Sequence, residues 1–564
     1  MVSSAMDFTN GTTIIALIAI IPLAYYLILP TILDFLTPKP LPGIPYRKGR
    51  QYPFIGDGLD AGKWFAAQTT ITQWLDGCAK AFIYGGKEMG AEWGVLDGKK
   101  SAKEQLEELE RPGRKRSSEY EGISQLMFGF GHGSRQVIVT DVEDSMWKNL
   151  KMFHPRAIEA ANDLVKLWSL KSPKLGQGQF FEASDDLMDA ITDIAFGKSF
   201  ALLPEYINNI SQTPPTTDPA VEQAVVFPYN ANAIYHAAEY LLSTLPLFSA
   251  FPKLSIIIQK FQPTFKRNLA AVHAFIDEQI KEGRVRNQAR GDEKAELAAS
   301  AIDMALLKDG TVDALSDQEL RDGGHFSGYR YFGNQTDIGF DTAEALLFLA
   351  AGQETTARTL SWGVKRLARS PRVQEKLRKE LMDAGLHERE MTFDDLAAEK
   401  VPYLEATAHE MLRLAGTAAG VSRQAIKDTV VLGKAIPQGT TLYFPLAMVA
   451  TMPLEDVAAT PTSADDVQSK WRGNTLHLFN PDRWLDENGS FDSQVGMQSV
   501  PFSAGQRGCF GRALALLELK TLLAKINLAF FLESIPAKYD SDEFVEYVSR
   551  KPKSTFVRPL PWKQ

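Results

Sequence analysis
The strongest pattern along the chain is an unbroken apolar one near its start. Thr12 to Leu33, TTIIALIAIIPLAYYLILPTIL, runs for 22 residues without a charge. At 1.5 Å of rise per residue this is about 33 Å of helix, enough to cross a bilayer. A cleaved signal peptide would need a basic n-region, a shorter apolar run and a small-x-small cleavage site, and the segment has none of them. Asp7 is the only charge ahead of the span, whereas Lys39, Arg47, Lys48 and Arg50 follow it closely, which places the bulk of the chain on the cytosolic side. Pro38, Pro40, Pro42 and Pro45 then form a stiff, extended connector. The expected division is a lumenal tail and anchor over residues 1–37, a linker over 38–50 and one large domain over 51–564.

Past the linker the pattern turns periodic. Tyr52 to Gly58 reads as a turn and Gly62 to Ala81 as a helix, while Lys99 to Arg116 mixes both charge signs as a solvated segment does. Phe128 to Asp141, FGFGHGSRQVIVTD, predicts a turn entering a strand, and its glycines lack the G-x-G-x-x-G spacing before a helix that a dinucleotide site needs. From Ala157 onward long amphipathic segments dominate: Ala157–Leu170, Asp185–Phe196, Phe265–Arg284, Ala343–Ala368 and Ala513–Ala529. Short strand-like pieces come late, at Thr429–Gly433 and Thr440–Leu446. The expected class is mainly α with a minor β-sheet region, without internal repeats.

Composition narrows the chemistry. The 564 residues are 45 % hydrophobic and 23 % charged, which excludes collagen-like, coiled-coil and wholly disordered classes. A net charge of −8 gives no global basic field for nucleic acid. Only Cys78 and Cys509 occur, which rules out a disulfide framework and an all-cysteine zinc site and agrees with a reducing compartment. Cys509 stands in PFSAGQRGCFGRALALLELK, between glycines, beside Arg507 and Arg512, just ahead of an apolar helix. A helix N-terminus and guanidinium charge favour thiolate, and glycine lets backbone approach whatever the sulfur binds. Nucleophile, redox sensor and metal ligand all remain open from these residues, as does an inert buried thiol.

The spacing adds a resemblance. Phe502, Gly505, Arg507, Cys509 and Gly511 reproduce F-x-x-G-x-R-x-C-x-G, the haem-binding loop of the cytochrome P450 family, which this chain strongly resembles. Gln506 departs from many members without removing a ligand. The resemblance implies Cys509 as axial thiolate ligand of haem iron, Arg507 facing a haem propionate, Phe502 covering the sulfur, and Gly505 and Gly511 shaping the loop. In Glu344–Trp362 the polar run Gln353-Glu354-Thr355-Thr356 follows Ala351-Gly352 and matches A-G-x-[DE]-T-[TS]. Hydroxyls that compete for the i−4 carbonyl bend such a helix and open a groove; by resemblance the groove admits dioxygen, and Glu354 and Thr355 bring protons. Glu410 and Arg413 share a helix face in E-x-x-R, and Phe479 to Trp484 matches F-x-P-x-R-[FW], implying a buried structural network of Glu410, Arg413 and Arg483. The same E-x-x-R at Glu375 and Arg378 reads as a surface ion pair. Arg423 matches a propionate-contacting position, and Trp147 with Lys151 is a further candidate pair for the propionates.

Two stretches depart from the family pattern. Residues 322–344 carry a Gly- and aromatic-rich surplus of about twenty residues, and the region 140–165 is short where the family places two helices and a substrate-covering loop. The expected protein is a single-pass endoplasmic reticulum monooxygenase resembling microsomal fungal members. It would use haem b, O2 and electrons passed from NADPH by NADPH–cytochrome P450 reductase, oxidising an apolar small molecule of secondary metabolism. A haem-thiolate isomerase or dehydratase, and a catalytically impaired haem-binding membrane protein, are the alternative readings.

Overall fold
The computed structural model describes residues 150–196, 202–210, 214–228, 233–243, 258, 261–289, 349–424, 428–431, 434–438, 441–444, 446–450, 475–493, 499–503, 509, 511–546 and 549–563. The apolar span Thr12–Leu33, the proline linker, the helix expected at Gly62–Ala81, the turn at Phe128–Asp141, Cys78, Trp147 and the surplus at 322–344 lie outside the described residues. Among the described residues no helix is long and apolar enough to cross a membrane.

Nine helices of eight residues or more occur among the described residues: α1 His154–Lys171, α2 Ser184–Phe196, α3 Leu202–Asn209, α4 Ala233–Ser243, α5 Pro263–Ala289, α6 Glu354–Ala368, α7 Pro371–Asp383, α8 Pro402–Ala415 and α9 Arg512–Ala529. The strands are β1 Phe181–Glu182, β2 Thr216–Thr217, β3 Val225–Val226, β4 Val421–Gln424, β5 Thr429–Val431, β6 Lys434–Ile436, β7 Thr441–Phe444, β8 Phe530–Leu532, β9 Phe544–Glu546, β10 Arg550–Pro552, β11 Phe556–Val557 and β12 Pro559–Pro561. They form small antiparallel pairs, among them β4 with β7 and β5 with β6. The mainly helical class with a minor sheet component is what the periodicity predicts.

The core is built by α1, α2, α6, α8 and α9. On α1 the apolar positions Ala157, Ala160, Ala161, Leu164, Leu167 and Trp168 recur at helical spacing and are buried against α2 and α9. Helix α6 is buried nearly all round and packs on α2, α8 and α9. Pro402 opens α8 at a position where its missing N–H costs nothing, and the Glu380 carboxylate from α7 accepts the orphan amides of Tyr403 and Leu404 at 2.8 and 2.9 Å. Gly416 ends α8 in the left-handed region at φ 53°, which a side chain would strain.

One buried ion pair clamps α1 to α2. Lys171 Nζ lies 2.7 Å from Asp186, which also accepts the Trp168 indole N–H at 2.9 Å. The ammonium sits 4.8 Å from the Phe181 ring centroid, 4.6 Å from Tyr206 and 5.4 Å from Phe227, so aromatic faces replace water around it. Burial pulls the Lys171 ammonium below its ordinary value and the Asp186 charge opposes that pull. Removing one partner strands the other charge in the core, whereas removing both does not. Asp186→Ala is expected to lower stability by about 3–5 kcal/mol and Lys171→Met/Asp186→Leu by much less, read from urea midpoints.

Candidate active site
The Glu410 carboxylate on α8 is fully buried and collects donors from three directions. Arg413, one turn on, grips it with Nε and Nη2, both at 2.8 Å. Arg483 Nε reaches it at 3.0 Å, the Trp484 indole N–H at 2.8 Å and the Asn480 backbone N–H at 2.9 Å. Arg413 then spends Nη1 on the carbonyls of Ala450 and Leu476, at 2.8 and 2.7 Å. Burial by itself would raise the Glu410 carboxyl, but the Arg413 hydrogen bonds and the Arg413 and Arg483 charges outweigh it and hold the group below the ordinary carboxylate value. The expected grouping of Glu410, Arg413 and Arg483 is thus present. Trp484 and the Asn480 amide are further members, and the tryptophan was visible in the sequence as the last residue of the Phe479–Trp484 match.

The second E-x-x-R is a correction. Arg378 does not pair with Glu375; its Nη1 donates to the Leu528 carbonyl and its guanidinium stacks 4.6 Å from the Trp562 ring centroid. The last carbonyls of α9 have no intrahelical donors, so a guanidinium gains more there than from an exposed carboxylate on its own helix. Lys151 likewise does not face the core. It forms an exposed ion pair with Asp394 at 2.8 Å.

The helix expected from Ala343 onward changes its winding just ahead of its polar run. Leu349–Gln353 form a π-helical turn, wider by one residue than α, and α6 starts at Glu354. Thr355 Oγ1 donates to the Ala351 carbonyl at 2.7 Å, the i−4 competition that the sequence predicts. Ala351 and Gly352 are exposed, and a Cβ added to Gly352 would meet nothing within 4 Å. Glu354 is buried at the start of α6, with Arg358 Nε 3.9 Å from its Oε1.

Polar side chains after the turn tie α6 to its surroundings. Thr356 bonds the fully buried Glu518 of α9. Thr359 Oγ1 donates to the Thr355 carbonyl at 2.9 Å and lies 2.8 Å from Thr417 Oγ1 in the loop after α8. Among the described residues no charge compensates the burial of Glu518, which pushes its carboxyl up to about 8. Sequence reasoning passed over Glu518, although a lone acid inside ALALLELKTLLAKI was a signal.

The cysteine loop enters α9. Val500 accepts the Ser503 amide at 2.9 Å, Ser503 takes a left-handed φ of 58°, and the Cys509 amide closes back on the Phe502 carbonyl at 2.7 Å. The Cys509 thiol is exposed, Phe502 packs against the core with the Arg512 guanidinium 5.9 Å from its ring centroid, and a Cβ on Gly511 would stand 3.9 Å from Cys509 Sγ. Gly505 and Arg507 lie outside the described residues; Arg423 is on β4, its backbone opposite Leu442.

A sequence-family model described as Cytochrome P450 matches residues 336–453 and 477–558, which contain the π-turn, the Glu410 network and the cysteine loop. Over these segments the chain is similar to the cytochrome P450 family. It is 27 % identical to the cytochrome P450 monooxygenase GME11363 of Pestalotiopsis microspora across 98 % of this chain and 99 % of that protein. It is 26 % identical to the cytochrome P450 monooxygenase TRI13 of Fusarium sporotrichioides across 70 % and 72 % of the two chains. Over 38 % of this chain and 39 % of the relative it is 37 % identical to the cytochrome P450 monooxygenase xilC of Penicillium crustosum. The similarity supports a monooxygenase and implies haem. The residues present fit that group: an exposed thiol at the head of α9, a loop closed by main-chain bonds, and a groove turn whose Gly352 has open space around it.

Arg413→Lys is expected to lower the stability read from urea midpoints by about 3 kcal/mol or more, because a lysine cannot make the paired contact and leaves Glu410 buried with fewer donors. Glu518 sets a pH dependence of opposite sense to an ion-paired carboxylate. Its ordinary value is 4.5 and its folded value about 8, so between them the unfolded chain releases a proton that the folded chain keeps. Stability from this group is full below 4.5 and falls as pH rises toward 8, and Glu518→Gln is expected to flatten that slope in urea midpoints measured across the interval.

Proposed function
We propose that this P450 is a membrane-anchored monooxygenase that oxidises an apolar small molecule of secondary metabolism, with electrons from NADPH–cytochrome P450 reductase. The observation that carries the reading is the exposed Cys509 thiol at the head of α9, the helix whose Glu518 is bonded to Thr356 beside the π-turn. Residues 1–37 are the lumenal tail and the span that fixes the chain in the endoplasmic reticulum membrane, 38–50 the rigid linker and 51–564 the cytosolic haem domain; the charge-free run at Thr12–Leu33 and the basic residues after it support this division. The fungal relatives named above support a role in secondary metabolism.

Cys509 would hold the iron through its sulfur, Arg507 and Arg423 would hold the propionates, Phe502 would cover the sulfur, and Gly505 and Gly511 would keep the loop low. Bound haem would supply the redox chemistry for reducing dioxygen and oxidising the substrate. The chain's own part is positioning and proton supply. Ala351 and Gly352 leave room above the groove, Thr355 presents a hydroxyl whose proton is held on the Ala351 carbonyl until a better acceptor enters, and Glu354 behind it replaces that proton. Glu410, Arg413 and Arg483 do no chemistry; they fix the backbone ahead of the cysteine loop.

The reduced, CO-treated protein is expected to show the red-shifted Soret band of a thiolate-ligated haem, and Cys509→Ala to lose it; an unchanged spectrum in that variant overturns the ligand assignment. With the reductase present, NADPH consumption that rises on adding the true substrate supports the electron-transfer reading, and a chain to which the reductase delivers no electrons refutes it.

A further inference from the structure
The π-turn that shapes the groove is held from behind by one side chain. Gln353, its last residue, points away from the exposed Ala351–Gly352 strip and is buried against α2. There its Nε2 donates to Thr192 Oγ1, a hydroxyl with no solvent exposure. Thr192 in turn donates to the Met188 carbonyl at 2.8 Å. The chain of bonds has a direction: the Thr192 proton is committed to Met188, so the hydroxyl can only accept from Gln353.

A π-turn carries a residue more than α-helix needs and relaxes to α unless its surroundings hold it. One residue corresponds to about 100° of helical rotation, so relaxation would swing the groove strip away relative to Glu354 and Thr355. Thr355 Oγ1 bonds the Ala351 carbonyl across this same turn, and its geometry depends on the turn staying wide. The Thr356 and Thr359 ties act further along α6; among the described side-chain bonds, Gln353 is the one that grips the turn itself from a neighbouring helix.

We propose that Gln353 is a positioning residue for the oxygen groove, using Thr192 as a fixed, oriented acceptor to lock the π-turn in the form that presents Glu354 and Thr355 together. The proposal rests on the reading of those two residues as the proton-supplying pair. It makes α2, which packs on the π-turn, part of the device that sets how protons reach the site.

The test uses the full-length, haem-loaded protein with reductase and NADPH and no added substrate. Two electrons and two protons leave dioxygen as hydrogen peroxide, four of each leave it as two waters, so NADPH oxidised beyond the peroxide released measures proton delivery. Thr192→Val removes the acceptor and keeps the shape; Gln353→Glu keeps the shape and puts an acceptor where a donor is needed. Both are expected to cut the water-forming share by about fivefold, the factor set by losing one buried hydrogen bond, while Thr192→Ser stays at the wild-type share. The reduced-CO Soret band stays in place in all three. Wild-type partition in Gln353→Glu overturns the proposal, and so does an equal loss in Thr192→Ser, which would make packing and not the hydroxyl responsible. If Thr192→Val fails to retain haem, Gln353→Glu decides alone. Thr355→Ala separates the two layers: if it loses the water-forming share and Gln353→Glu does not, only the positioning role fails, whereas an unchanged share in Thr355→Ala refutes the proton pair and with it the proposal.

Discussion
A carboxylate with no access to water holds the proximal half of this molecule together. Glu410 ionised and unaccompanied at its depth would cost several kcal/mol, so every donor around it is bound to stay. Those donors come from α8 itself, through Arg413, and from the segment 480–484, through the Asn480 amide, Arg483 and Trp484. Arg413 passes the constraint on to the carbonyls of Ala450, Leu476 and Leu478. The segment around the short 3-10 helix Pro481–Trp484 is thereby given a fixed path shortly before the cysteine loop. The two ends of α8 serve the same purpose, with Glu380 seating its first turn and Gly416 turning the chain sharply toward β4.

The distal half is organised by a different device. Helix α6 is too buried to be aligned by an amphipathic face, since nearly every position on it is covered. Polar pins take over that task. Gln353 binds Thr192 on α2, Thr356 binds Glu518 on α9, and Thr359 meets Thr417 beyond α8. Each pin is a buried donor–acceptor pair, costly to leave unmade, and so each selects one rotation of α6 where apolar packing would tolerate several. Glu518 shows the cost of this arrangement, a carboxyl kept neutral in the core with a hydroxyl as its partner.

Much of this was legible beforehand wherever spacing alone carries the information. The amphipathic segments at Ala157–Leu170, Asp185–Phe196, Phe265–Arg284 and Ala513–Ala529 became α1, α2, α5 and α9 with boundaries displaced by a few residues. Thr429–Gly433 and Thr440–Leu446 hold β5 and β7. Glu410 and Arg413 meet because three residues is nearly one helical turn, and that would be so in any fold. The identical spacing at Glu375 and Arg378 failed to predict a pair because it says nothing about competitors. The unsatisfied end of α9 and the Trp562 ring, both far off in the chain, offered Arg378 more.

By itself, then, the sequence determined the helical character of the chain, the distortion of the groove helix around its Gly-Gln-Glu-Thr-Thr run, and the family that the cysteine loop resembles, since all three reside in local spacing and residue type. Tertiary structure decided which polar groups share a partner. Gln353 and Thr192 are 161 residues apart, Trp484 and Glu410 are 74, and nothing in either neighbourhood names the other. A buried hydrogen bond is specified by the place where two distant segments come to rest, and that place exists only once the core has closed around it.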